Sequence, residues 1–177
     1  MNTIAAGKPL REDLLADPAS AGNWLREALS HLPEPPQGLS GLELDAAELE
    51  GLRAFRDDLR RTVVTPDGDP AGTDGPAPTA LPTLSMGMRW DGAGRVRPVP
   101  RGSGWQSVAS LVAVEVFKAQ LDGSWNRIKT CRNSRCAVAF FDRSRNNSGV
   151  WHDVKVCGNA ANLRAYRARR RAAGTTP

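Results

Sequence analysis

No stretch of about eighteen apolar residues occurs in this 177-residue chain, so no helical membrane span is expected. Residues Met1 to Arg11 lack the basic start, apolar core and small-residue cleavage site of a secretory leader. The expectation is a cytoplasmic protein in a reducing compartment. Only three cysteines are present, too few for a disulfide scaffold. There is no glycine-rich phosphate loop and no Ser-His-Asp set, and His31 stands unaccompanied among prolines. Nothing marks a Cys-His nucleophile either, so no enzyme is expected. No internal repeat is visible. Acidic residues are scarce at one end: residues 127–177 hold two Asp+Glu against twelve Lys+Arg, a net charge of +10, whereas residues 1–126 carry −5. An acidic body with a basic end points to a polyanionic partner for that end, a merely solvated basic tail being the alternative.

What the basic end contains is more specific. Cys131 and Cys136 are followed by His152 and Cys157 in the pattern C-x4-C-x15-H-x4-C, two short pairs joined by a stretch long enough for a hairpin. That spacing suits one Cys3His zinc site, and four protein ligands would close a tetrahedral shell, making the ion structural. Thiolates also accept iron. A module of this size has too little interior to be secure without a staple, so metal binding would contribute its folding energy. Past Cys157-Gly158-Asn159 the sequence favours a helix from Ala160 to Arg171. Its Arg164, Arg167 and Arg171 fall on one face with Arg169 and Arg170 flanking, a pattern suited to phosphates and guanine edges. Leu163 and Tyr166 are free to pack on the hairpin, and Gly158 lets the backbone approach the metal-bound sulfur.

The acidic part reads as mainly helical. Asp17-Pro18 starts a helix whose Ala21, Trp24, Leu25, Ala28 and Leu29 share a face. A second begins near Asp45 with Glu48 as capping-box partner; Leu49, Leu52, Phe55, Leu59 and Val63 form its buried stripe, while Arg53, Asp57, Asp58 and Arg60 face water. Ten of the thirteen residues from Pro66 to Pro78 are Pro, Gly or Asp, which predicts a mobile loop over about 65–80. Leu84–Trp90 and Arg95–Arg97 form a hairpin closed by Pro98 and Pro100. Trp105 to Leu121, apolar almost all round, is a helix for the centre of a domain.

Four segments carry a family resemblance: Cys131-Arg-Asn-Ser-Arg-Cys136, Phe140-Phe-Asp-Arg-Ser-Arg-Asn146, Trp151-His152, and Cys157-Gly-Asn159 before an arginine-rich helix. Together they resemble the CGNR zinc finger, which reads C-x4-C, F-x-D-x-S-[RK]-N, W-C and C-G-N-R. Such fingers follow an N-terminal domain called ABATE in stress-induced transcription regulators, and residues 1–126 resemble that domain through helix order and Trp24-Leu25. The resemblance implies zinc ligands Cys131, Cys136, His152 and Cys157. It also makes Arg143, Ser144, Arg145 and Asn146 contacts for nucleic acid, unless Asp142 to Arg145 is a salt-bridged turn that positions Cys136. His152 stands where the family has cysteine, and Ala160 where it has arginine. Met1-Asn2-Thr3 resembles the end of a longer family opening, which implies a strand upstream.

The expectation is an α+β chain. Its residues 1–126 form a mainly helical domain with a β-hairpin, for sensing a small molecule or for self-association as a homodimer. Residues 127–177 form a treble-clef-like finger with one structural Zn2+ and an Arg-rich helix. Double-stranded DNA is the expected partner, in transcription regulation. A module for RNA or an acidic protein surface, without promoter function, is the alternative.

Overall fold

The computed structural model describes residues 2–7, 9–36, 38–63, 82–133 and 135–173, and the loop expected at 65–80 lies outside them. Helix α1 spans Pro18–Ser30. Asp17 caps it from an extended conformation, accepting the Ser20 N–H at 2.9 Å. Helix α2 spans Ala46–Arg61, with Asp45 accepting the Glu48 N–H at 2.8 Å. The Glu48 carboxylate does not close a capping box; it lies against Gly104, in the first turn of helix α3 (Gly104–Leu121), where it complements the helix dipole.

The core is the meeting of these three helices. Leu25 and Leu29 of α1, Leu49, Leu52, Phe55 and Leu59 of α2, and Val108 and Ala109 of α3 are buried together. Close approach of α2 and α3 depends on Gly51, since a Cβ there would lie 2.6 Å from the Trp105 indole. Burial of α3 fades toward its end: Val114 is buried, but Phe117 and Leu121 are exposed. Two of the arginines expected in water are drawn inward. Arg53 donates to the carbonyls of Leu15 and Ala16, and Arg60 to that of Ala137. Asp58 pairs with Arg61 on the same helix.

Strands β1 (Met86–Trp90) and β2 (Val96–Pro100) form an antiparallel ribbon that packs on α3 through β2. Pro98 lies inside β2, opposite Met88, rather than closing it, and Pro100, opposite Met86, ends the strand. In a two-stranded ribbon every strand has a free edge, and a proline can point its missing N–H there. A second ribbon, β3 (Ile128–Thr130) with β4 (Ala139–Phe141), opens the C-terminal part, and helix α4 (Asn159–Ala173) ends it. The whole is α+β, helical first and finger-like last. Among the described residues no helix is long and apolar enough to cross a membrane.

Candidate metal centre

The first ligand pair sits on a knuckle between β3 and β4, where Thr130 faces Ala139 across the ribbon. Cys131 N–H donates to the Val138 carbonyl at 2.9 Å, Cys136 N–H to that of Asn133 at 2.7 Å, and Ala137 follows with φ of 54°. The hairpin thus flanks the first pair instead of joining the two pairs. The second pair is held by Asp153, whose side chain accepts the Val156 N–H at 2.9 Å and whose carbonyl accepts the Cys157 N–H at 2.9 Å. These bonds wind Val154–Gly158 into one wide helical turn that leads into α4. Gly158 lies close against Trp151, whose Cδ1 would stand 3.1 Å from a Cβ at that position.

The ligand atoms of Cys131, Cys136, His152 and Cys157 all lie within 4.8 Å of one another. His152 faces the sulfurs through Nδ1, 3.2 Å from Cys136 Sγ and 3.6 Å from Cys157 Sγ. A tetrahedral zinc bound at about 2.3 Å to sulfur and about 2.0 Å to nitrogen sets such ligands about 3.6 Å apart, so the cluster fits the ion. Burial pushes the Cys136 thiol up to about 12, against a hydrogen bond from Val138 and with reinforcement from Cys157 and Cys131. A cation among the sulfurs reverses that balance by favouring thiolates.

Residues around the ligands fix them in place. Asn133, fully buried, donates from Nδ2 to Cys157 Sγ at 3.3 Å and accepts from Arg164 at 3.0 Å. Arg164 thus brings a guanidinium to the centre from one turn beyond Ala160. Asp142 is buried and accepts from Lys129 Nζ and the Gly149 N–H, both at 2.7 Å, and from the Ser144 N–H at 2.9 Å. Burial alone would raise its carboxyl, but these bonds outweigh it and hold it well below the ordinary carboxylate range. Lys129 also donates to the carbonyls of Asn147 and Gly149, and Arg127 to those of Asp142 and Ser144.

The turn at 142–149 is therefore a built structure, with Arg143, Arg145 and Asn146 exposed on it and Ser144 half-buried. Ser144 Oγ accepts the Ser148 N–H at 3.0 Å. Arg164, Arg167, Arg169, Arg170 and Arg171 are all exposed on α4, and Arg164 also bonds to Asn133. Neither Leu163 nor Tyr166 is buried against the hairpin. They are about half exposed, and the Arg170 guanidinium stands 6.0 Å from the Tyr166 ring centre.

One set of contacts has no counterpart in the sequence reading. Asn2 Nδ2 donates to the Ala139 carbonyl at 2.7 Å while its Oδ1 accepts the Ala139 N–H at 2.8 Å. Gly7 N–H donates to the Cys136 carbonyl at 2.8 Å, and Arg60 to that of Ala137 at 2.7 Å. Residues from the start of the chain and from α2 thus hold three successive parts of the knuckle. Asparagine, glycine and arginine in those positions carry no spacing signal that could have announced it.

Comparison with known proteins agrees with this geometry. No curated protein matches the chain. The family model for the CGNR zinc finger matches residues 127–170, the segment holding all four ligands. The model for ABATE, described as "Putative stress-induced transcription regulator", matches residues 1–118. With well over half of its length covered by that match, the chain belongs to the ABATE family and ends in a CGNR zinc finger.

Proposed function

We propose that this protein is a transcription regulator that binds double-stranded DNA through its finger. The observation that carries the reading is the exposure of Arg167, Arg169, Arg170 and Arg171 on α4, a helix with no acidic residue, beginning at the metal centre. Such a helix neutralises phosphates and suits a major groove. Arg143 and Arg145, exposed on the turn held by Asp142, add to the same basic module. The closed Cys3His set has a structural role in this reading, with no coordination position left for water and no hydrolytic chemistry. To the helical part we assign the reception of a small-molecule effector, with self-association into a homodimer as its other role.

The test is a binding isotherm on random duplex DNA at several salt concentrations. Affinity should fall steeply with salt, and Arg167→Ala combined with Arg170→Ala should flatten the log–log slope by about two. Absence of duplex affinity at low salt overturns the reading. Tighter binding of single strands would transfer it to RNA, for which exposed Tyr166 supplies a stacking ring.

A further inference from the structure

An apolar cavity of about 470 Å³ opens among the three helices of the N-terminal part. Trp24 and Ala28 of α1, Leu59 of α2 and Val112 of α3 line it, and Trp125 and Ile128, on the link into the finger, complete the lining. Its volume falls in the range of small-molecule sites, about 300–1,000 Å³. Among the described lining residues Glu115 alone is charged, and its carboxylate accepts from Lys118 Nζ at 2.7 Å. No uncompensated charge therefore faces the cavity. An ion entering it would lose hydration without gaining a partner, whereas a neutral hydrophobic molecule would gain by burial. Two indoles in the lining suit a ligand with an aromatic ring.

We propose that this cavity binds an uncharged, partly aromatic small molecule and that occupancy is felt at the finger. The proposal deepens the effector role assigned above and rests on it. Two physical connections lead from the cavity to the knuckle. Leu59 precedes Arg60, whose guanidinium holds the Ala137 carbonyl next to Cys136. Trp125 lies in the short helical turn Ser124–Arg127, and Ile128 starts the strand that runs into Cys131. A molecule wedged against Leu59, Trp125 and Ile128 stiffens both connections and restrains the metal-bearing loop.

N-phenyl-1-naphthylamine, a neutral fluorescent probe of this class, tests the site on the full zinc-loaded chain. Saturable binding at one probe per chain is expected. Ala28→Trp and Val112→Phe, which fill the cavity from two different helices, should each weaken it by about tenfold or more. Thermal unfolding identifies which of the two variants is folded, and the comparison uses that variant. Saturating probe should slow zinc transfer to a colorimetric chelator by about threefold in the parent chain and leave the filled variant unchanged. Non-saturable binding, or full affinity in a folded filled variant, overturns the site. Unchanged zinc transfer at saturation overturns the link to the finger. Both readouts are independent of DNA, so a chain that fails to bind duplex refutes the regulator reading while leaving this test intact.

Discussion

Lys129 and Asp142 are withdrawn from water together, their side chains 10% and 3% exposed, at a distance of 2.7 Å. Removing one charge from such a pair leaves the other buried and uncompensated, which costs about 3–5 kcal/mol. Asp142→Asn should therefore lower the urea midpoint for zinc release markedly, while Arg145→Ala, altering an exposed side chain of the same turn, should hardly move it. Equal midpoints for Asp142→Asn and the parent would show that the pair holds nothing. The pH dependence has a definite sign. Because the folded carboxyl is depressed below its ordinary value of 3.8, its stabilisation is complete above that value and is lost only as pH falls through the folded one. Asn133 acts on the metal more directly, through Cys157 and Arg164. Asn133→Ala should weaken zinc affinity by about 10–100-fold in competition with a chelator, and an unchanged affinity would remove it from the centre's support.

At the scale of elements, the described side chains of α4 beyond its first turn are all exposed. A chain ending after Ala165 should keep its zinc and a thermal midpoint within about 2 °C of the parent, since such surface residues contribute little. A large drop would mean that the arginine-rich segment packs on the body. The helices and ligand pairs were legible because their signals are local: Asp17-Pro18 and Asp45 are caps, and Cys131 to Cys157 are a spacing. The stripe from Leu49 to Val63 was legible because burial of α2 follows its period. The role of Arg60 was not, because a long side chain on a polar face can reach water or a distant carbonyl, and only tertiary placement decides. Nor was the placement of the hairpin around the knuckle, since β3 and β4 are only three residues each and carry little pattern.

For the molecule as a whole, metal binding should stabilise more than the finger. Three knuckle carbonyls, of Cys136, Ala137 and Ala139, receive bonds from Gly7, Arg60 and Asn2. Chelating the zinc should loosen that docking, and amide exchange at Gly7 should accelerate by about tenfold or more while amides in the α2 core stay protected. Retained protection at Gly7 in the metal-free chain would show that the docking is independent of the ion.

The Asn2 contact also bears on how the protein is made. Its partner lies 137 residues further along the chain. On a ribosome, Asn2 emerges well before Ala139 and must wait for the residues between them to be made. Closing so wide a loop costs little more entropy than closing one of half its length, but it cannot begin early. Docking of residues 2–7 thus begins only after the knuckle has been made. Until then residues 2–7 have no knuckle to settle on.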